Sequence, residues 1–226
     1  MNESIAVISQ NVDTKEKISK RELSKKVYAV VKRIFDFLVA LFAVIITSPI
    51  MLILAIAIKL DSKGPAIFKQ VRTGKNGKEF MLYKFRTMAV DNDVHDFSSK
   101  DRHTKVGTFL RKVSLDELPQ FINVLKGDMS FIGPRPWIPD YWDNMNAIQR
   151  HRCDVLPGIT GLAQAKGRNN ISIFDKINYD LEYIRNYSLL EDIKVVFWTI
   201  KTVISKDGAD AGKGTIQNEL EDLKNQ

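Results

Sequence analysis

The sequence predicts an α+β fold that is mostly α-helical and has three parts: an N-terminal membrane segment, a small β-ribbon and a helical domain. The first part is an apolar run of 25 residues, 34–58, which is long enough to enter a bilayer. The second is a pair of short apolar and aromatic runs, 66–71 and 79–85, joined through Gly-Lys-Asn-Gly, which is typical of a hairpin or extended ribbon. After a polar stretch over 91–104, helical periodicity dominates the third part.

The composition limits the kinds of partner and site. A chain of 226 residues holds one compact domain plus a membrane element, so we expect a single site. The formal net charge of +7 favours an anionic partner, which can be nucleic acid, an anionic lipid surface or a phosphorylated substrate. The one cysteine, Cys153, cannot form an internal disulfide, and three histidines without a Cys/His cluster argue against a zinc site.

The N-terminal part begins with residues 1–27, whose polar and mixed-charge composition predicts a mobile or loosely helical lead-in. The apolar run behind it contains one charge, Asp36, and lies too far from the N-terminus for a signal peptide. Two structures stay open at this point. A straight helix of this length spans ~37 Å and crosses a hydrocarbon core of ~30 Å. Alternatively, Ser48-Pro49 breaks the helix and the basic flanks keep both ends cytoplasmic, so that the segment enters and returns.

The predicted ribbon ends in the basic sequence Tyr83-Lys84-Phe85-Arg86. Two interpretations of Lys84 and Arg86 stay open. They bind lipid headgroups or a substrate phosphate, or they are ordinary solvated charges on an exposed ribbon.

The C-terminal part contains apolar residues at helical spacing: Leu189, Leu190, Ile193, Val196, Phe197, Ile200, Val203 and Ile204. Such a stripe packs on a soluble core or lies on a bilayer surface, and the membrane context and Trp198 favour the surface. Residues 206–226 are rich in Gly, Asp, Glu and Lys, which predicts a flexible tail.

Two adjacent carboxylates, Asp116 and Glu117, lie where a helical pattern begins. Locally, Ser114 and Glu117 fit a capping box, which is a purely structural interpretation. The neighbouring sequence favours chemistry instead, because Arg111 precedes the pair and a Gly- and Pro-containing loop ending in Arg135 follows it. An aspartate can attack phosphorus, and arginines can hold phosphate oxygens.

Taken in order, the motifs resemble the bacterial sugar transferase family, the small monotopic polyprenyl-phosphate sugar-1-phosphate transferases. The resemblance covers residues 30–205. Five segments carry it: KRIFDF at 32–37, YKFRTM at 83–88, LRKVSLDELPQFINVLKGDMSFIGPRP at 110–136, PGITGLAQAKGRN at 157–169 and YDLEYIRNYSLLEDIKV at 179–195.

The resemblance implies a reaction. A UDP-sugar gives its sugar 1-phosphate to a polyprenyl (undecaprenyl) phosphate, which releases UMP and starts a surface polysaccharide or glycoconjugate. It also implies that Asp116 is the nucleophile of a covalent aspartyl-phosphosugar intermediate and a ligand of Mg²⁺, with Glu117 as its essential partner.

The resemblance also assigns roles to other positions. It implies phosphate or nucleotide contacts for Arg111, Arg135 and Arg168 and a supporting role for the acidic Asp180, and we add Lys84 as a substrate-binding candidate. It turns the apolar run into a re-entrant helix-break-helix hairpin, inserted from the cytoplasmic leaflet of a bacterial membrane, whose residues include Lys32, Arg33, Asp36, Ser48 and Pro49. The chain then divides into a lead-in (1–27), a membrane hairpin (28–60), a cytoplasmic catalytic domain with interfacial helices (61–205) and a tail (206–226).

The expected partners are a UDP-sugar, a polyprenyl phosphate and membrane lipid. Nucleic acid is not expected, because no helix-turn-helix, zinc or RNP-type pattern is present. Two competing functions stay open: a membrane-tethered nucleic-acid-binding or scaffold protein, supported by net charge alone, and a transferase that forms a glycosidic bond and releases UDP. The sugar and the oligomeric state are undetermined, a homodimer being one alternative.

Overall fold

The computed structural model describes residues 2–89, 103–167, 171–205 and 216–225, with side chains from residue 19 onward except at 203–205. These residues are mostly helical and include two small sheets, so the expected fold class is confirmed in its coarse form.

The helices and strands of the described residues follow one another along the chain as α1 Asn2–Asp61, β1 Ile67–Thr73, β2 Glu79–Phe85, α2 Lys105–Lys112, α3 Gln120–Lys126, β3 Ser130–Ile132, α4 Pro139–Asn144, α5 Ala147–Arg150, β4 Gly158–Thr160, α6 Leu162–Gly167, α7 Ile173–Arg185, α8 Leu189–Ser205 and α9 Ile216–Lys224. Short 3₁₀ turns lie at Lys75–Gly77, Leu115–Glu117 and His151–Cys153.

The predicted ribbon is confirmed. Strands β1 and β2 pair antiparallel, from Ile67 opposite Phe85 to Thr73 opposite Glu79. A second sheet, in which β3 and β4 pair in parallel over three residues each, has no counterpart among the sequence predictions. The loop after β3 also contacts the start of β4, where the Gly158 N–H donates to the Pro134 carbonyl at 2.9 Å.

Helix α1 continues through Pro49, so the expected break into two helices is not seen. Proline has no N–H to donate to the carbonyl four residues back, which here belongs to Ile45. The Ser48 hydroxyl donates to that carbonyl instead, at 2.9 Å, and the Thr47 hydroxyl bonds the Ala43 carbonyl at 2.7 Å. The carbonyl left by the proline is therefore satisfied, and hydroxyls bonded in this way often bend a helix.

Both ends of the apolar run of α1 are docked on the rest of the molecule. At its start, Lys32, Arg33 and Asp36 bind the domain. Their partners are the Asp192 carboxylate for Lys32, the carbonyls of Val124 (2.6 Å) and Leu125 (2.9 Å) for Arg33, and the Phe131 N–H (3.3 Å) for Asp36. At its end, Ile58 is buried in a cluster with Phe85 and Leu110. The hydrogen-bonded start of this run therefore joins α1 to the domain.

The middle of the same run is uncovered. Phe42, Ile46 and Ile53 are more than half exposed. Within the described residues, α1 is the one helix long and apolar enough to cross a membrane, with a best 18-residue window of mean hydropathy 2.8 that is 6% buried. Such a surface is typical of a membrane-anchoring helix.

Helix α8 has two different faces. Val195 is fully buried against α6 and α7, together with Leu162 and Tyr183. The predicted apolar stripe lies on the other face and is exposed at Leu189, Leu190, Ile193, Val196, Phe197 and Ile200. The side chains of Val203 and Ile204 lie outside the described residues. One face of α8 thus packs on a core while the other presents an apolar surface. Core packing and an exposed apolar surface are alternatives from the sequence alone, and the structure shows both.

The C-terminal segment differs from its prediction. A flexible tail is expected over 206–226, but Ile216–Lys224 form a helix whose Leu223 is buried in a cluster with α4 and α7. Glu219 accepts hydrogen bonds from the Tyr141 hydroxyl and the Lys176 ammonium, both at 2.6 Å. Apolar residues at helical spacing in this segment, Ile216, Leu220 and Leu223, supply the packing face.

Candidate active site

The acidic pair lies on a 3₁₀ turn, Leu115–Glu117, that follows a residue in the left-handed conformation. Ser114 has φ 57° and ψ 21°, and its side chain makes no capping hydrogen bond. The capping-box interpretation is therefore wrong. Helix α3 begins only at Gln120, after Pro119, so the two carboxylates belong to a turn and not to the first turn of a long helix. The Glu117 side chain is consequently available for partners outside its own turn.

Glu117 binds two cations from different parts of the fold. One oxygen, Oε1, accepts from Lys84 Nζ at 2.6 Å and from Arg135 Nη2 at 3.1 Å. The side chains of Lys84 and Glu117 are about one-fifth exposed, whereas that of Arg135 is 44% exposed. Arg135 is thus anchored at one end and open to an incoming anion.

Asp116 is 14% exposed and lies 4.0 Å from Lys84 Nζ. No hydrogen bond to its carboxylate is found among the residues that the structure describes. Lys84 and Arg135 form their hydrogen bonds with the neighbouring Glu117, so the lone pairs of the Asp116 carboxylate stay free. A carboxylate in this state can act as a nucleophile or as a metal ligand.

The two acids differ in electrostatics although they are adjacent. Burial acts to raise the pKa of Glu117, but the charges of Arg135 and Lys84 outweigh it and lower that pKa to about 2. Burial raises the pKa of Asp116 above its usual value, Glu117 adds to this, and Lys84, Arg111 and Arg135 oppose it. Glu117 therefore stays ionised near neutral pH and is no general acid, whereas Asp116 is the more basic carboxylate.

An asparagine outside the predicted set, Asn123, joins α3 to the ribbon. Asn123 is fully buried on α3, donates from Nδ2 to the Met81 carbonyl at 2.7 Å and accepts at Oδ1 from the Tyr83 N–H at 3.0 Å. The amide side chain thus bonds the edge of β2 as another strand would. Asn123 thus joins α3, which follows the acidic turn, to the strand that carries Lys84.

The sequence left the roles of Lys84 and Arg86 undecided, and the structure gives these two ribbon cations different contacts. Lys84 belongs to the acidic pair, whereas Arg86 is 6% exposed and donates to the carbonyls of Ser62 (2.8 Å) and Lys63. Arg86 therefore fixes the connection between α1 and β1, and it is neither a solvated charge nor an exposed phosphate ligand.

The other predicted substrate-binding residues are only partly gathered at this site. Arg111 is exposed, its charge lowers the pKa of Asp116, and its Nη1 lies 2.9 Å from Nε2 of His103. Asp180 is fully buried and paired with Arg152, and its supporting role at the substrate stays a prediction. Arg168 lies outside the described residues.

The carboxylate pair faces Lys84 and Arg135, and α1 carries an apolar surface typical of a membrane-anchoring helix, so the geometry describes a membrane-associated site suited to phosphate groups. The comparison with known families agrees. The family described as bacterial sugar transferase matches residues 27–206, and the chain belongs to this family.

The chain is similar to several curated proteins. The chain is 46% identical over 185 residues to the UDP-glucose:undecaprenyl-phosphate glucose-1-phosphate transferase of Klebsiella pneumoniae, covering 76% of this chain and 39% of the relative. It is 43% identical over 197 residues to the UDP-N-acetylgalactosamine-undecaprenyl-phosphate N-acetylgalactosaminephosphotransferase of Aeromonas hydrophila, covering 83% and 47%. An uncharacterized sugar transferase, EpsL of Bacillus subtilis, is 44% identical over 181 residues, covering 79% and 90%. The chain thus spans less than half of the first two relatives and nearly all of the third.

Proposed function

We propose that this protein transfers a sugar 1-phosphate from a UDP-sugar to undecaprenyl phosphate, releasing UMP, as the first step of a surface polysaccharide or glycoconjugate. The observation that carries the proposal is the geometry of Asp116. Its carboxylate has free lone pairs beside two cations that Glu117 holds in place. The names of two relatives supply the substrate class.

The first proposed step uses Asp116 as the nucleophile. A carboxylate oxygen attacks the phosphorus that carries the sugar, the bond from that phosphorus to the bridging oxygen breaks, and UMP leaves with the electron pair. The raised pKa of Asp116 makes its carboxylate a better nucleophile once it is ionised. Lys84 and Arg135 face the phosphate oxygens and stabilise their charge.

In the second step an oxygen of the polyprenyl phosphate attacks the same phosphorus. The acyl-phosphate bond to Asp116 breaks, the carboxylate is regenerated and a polyprenyl-diphosphate sugar is formed. Glu117 remains ionised throughout, since its pKa is about 2, and it keeps Lys84 and Arg135 in place for both steps.

The donor set fits Mg²⁺ held partly by the substrate. The described residues include no group of three Asp, Glu, His or Cys side chains that could hold a metal ion alone. Magnesium in phosphate-transfer sites is commonly bound by one or two carboxylates together with substrate phosphate oxygens. Asp116 supplies such a carboxylate, and the ion would neutralise charge on the diphosphate when bound.

A sugar panel tests the proposed function. Purified full-length protein is incubated with Mg²⁺, undecaprenyl phosphate and UDP-glucose, UDP-galactose or their N-acetylamino counterparts, and UMP and UDP are separated chromatographically. We expect UMP with at least one sugar. Release of UDP would indicate a glycosidic bond instead, and no nucleotide release with any sugar would contradict the proposal.

Replacing Lys84 by methionine is expected to change the pH dependence of the reaction. Lys84 lowers the pKa of Asp116, so its removal raises that pKa and moves the acid limb of kcat/KM to higher pH. The loss of a phosphate contact also lowers kcat/KM by roughly 10²-fold at neutral pH. The same change at the exposed Lys75, on the ribbon turn, is the control. An unshifted acid limb would mean that Lys84 does not act on Asp116.

The proposed path of α1 enters the membrane from the cytoplasmic leaflet and returns to it. Support comes from the docking of both ends of the apolar run on one domain, from the exposed middle, and from the hydroxyl contacts around Pro49. The exposed apolar face of α8 would lie on the same surface.

Labelling of the two flanks tests this path. We expect cysteines placed at the exposed Lys26 and Lys63 to react with a membrane-impermeant maleimide in inside-out vesicles and not in intact cells. The native Cys153 is buried, and its serine variant is the background. Reaction of the two positions from opposite sides would identify a spanning helix.

A further inference from the structure

The backbone around Arg135 is held by donors from three other elements. Pro134 and Pro136 have no N–H, so this stretch cannot pair fully as a strand, and its carbonyls need partners elsewhere. The donors are the Gly158 N–H to the Pro134 carbonyl (2.9 Å), Arg152 Nη2 to the Arg135 carbonyl (2.8 Å), Arg72 Nη1 to the Pro136 carbonyl (3.5 Å) and the Thr73 N–H to the Trp137 carbonyl (2.8 Å). The donor to Arg135 itself is a side chain.

That side chain, Arg152, is fixed from several directions. It is 2% exposed and donates from Nε (3.0 Å) and Nη2 (2.7 Å) to one oxygen of Asp180. Its guanidinium lies 3.6 Å from the centre of the Trp137 ring. An ion pair and an aromatic face thus hold the planar guanidinium of Arg152 in one orientation. Its Nη2 group therefore points at the Arg135 carbonyl from a fixed direction.

Two glycines, Gly133 and Gly158, allow the main chains on either side of this stretch to approach each other closely. A Cβ on Gly133 would overlap the Leu156 carbonyl, and a Cβ on Gly158 would overlap the Gly133 backbone. The two loops therefore touch through main chain, and the segment that carries Arg135 has little freedom to move. The Arg135 side chain, in contrast, is 44% exposed and ends at Glu117.

We infer that Arg152, held by Asp180, is a positioning residue that directs Arg135 toward Glu117 and the substrate diphosphate. This inference rests on the proposed function and adds to it a line of contacts from α7 to the acidic pair. It also gives Asp180 its role: it orients Arg152 and does not contact substrate. A solely structural pair would stabilise the fold without depending on Arg135.

A double-mutant cycle separates these roles. The variant Arg152→Met/Asp180→Leu replaces the buried pair by apolar side chains, a change that is often neutral for stability, but removes the donor to the Arg135 carbonyl. We expect its melting temperature to stay near that of the wild type while kcat/KM for the UDP-sugar falls roughly 10- to 100-fold. In an Arg135→Ala background the same replacement should lower kcat/KM by less than about 2-fold, because the residue it positions is gone.

Equal losses in both backgrounds, or no loss in the wild-type background, would overturn the inference. If Arg152→Met/Asp180→Leu fails to fold, Arg152→Lys takes its place in the cycle, since it keeps the buried charge but not the planar fork. The affinity for UDP in the presence of Mg²⁺, measured by calorimetry, gives a second double-mutant cycle that does not depend on turnover. The four proteins are the wild type, the pair replacement, Arg135→Ala and their combination. Wild-type protein that binds UDP but releases no UMP would therefore contradict the proposed function alone, and wild-type protein that does not bind UDP would overturn both.

Discussion

Replacing Asp116 by alanine is expected to abolish UMP release, with a loss on the order of 10⁴-fold or more, because the attacking oxygen is removed. Alanine is preferable to asparagine for the quantitative comparison, since an asparagine can deamidate to aspartate and restore activity. Asp140→Asn, which neutralises an exposed acid at the start of α4, is the matched control and should leave the rate unchanged. Substantial activity in the Asp116 variant would exclude this residue as the nucleophile.

A partial reaction tests the covalent step separately. With UDP-sugar and labelled UMP but no polyprenyl phosphate, a two-step mechanism moves label into the UDP-sugar, because the first step is reversible on the enzyme. We expect exchange with the wild type and none with Asp116→Ala. Full turnover without any exchange would indicate direct transfer between the two substrates.

The second large effect is expected at Glu117. In Glu117→Gln, Lys84 and Arg135 face a neutral amide, so each cation loses the charge that holds it in place. The repulsion that raises the pKa of Asp116 disappears as well, so that pKa falls and the carboxylate becomes less basic. Both changes lower the rate, and we expect a loss of roughly 10²- to 10³-fold in kcat/KM.

The pH profile of kcat/KM distinguishes the electrostatic effect of Glu117→Gln from damage to the fold. In Glu117→Gln the acid limb of kcat/KM should move to lower pH, opposite to the shift expected for Lys84→Met. Glu191→Gln changes another largely buried glutamate, on α8, and is the matched control. Identical shifts in Glu117→Gln and Lys84→Met would contradict the proposed electrostatics of the pair.

Local features of the sequence predict a good part of this protein. The ribbon follows from two short apolar runs around a glycine-containing turn, and the contact between Glu117 and Arg135 agrees with the motif that carries both residues. The positive φ of Ser114 does not follow from the sequence, and neither does the long-range packing of the adjacent Leu115 and Leu118 on Ile58 and Phe85, which local spacing cannot reveal.

Contacts between residues far apart in the sequence account for the other differences between the predictions and the structure. Asp180 lies 28 residues from Arg152, and neither residue has a neighbour in sequence that indicates a buried ion pair. The buried amide of Asn123 is similar, since its partners on β2 are about 40 residues away. The docking of α9 did leave a signal, the apolar spacing of Ile216, Leu220 and Leu223, but the charged composition around it favoured a tail.

The docked start of α1 has a consequence for how the proposed lipid acceptor would reach the site. Since Lys32, Arg33 and Asp36 are bound to the domain, and since only five residues separate the end of α1 at Asp61 from β1 at Ile67, the domain cannot swing on its anchor. Its height above the bilayer is then set by the fold. A lipid acceptor would be encountered by lateral diffusion at a fixed depth, and its effective concentration would depend on its density in the membrane and not on the volume of the cell.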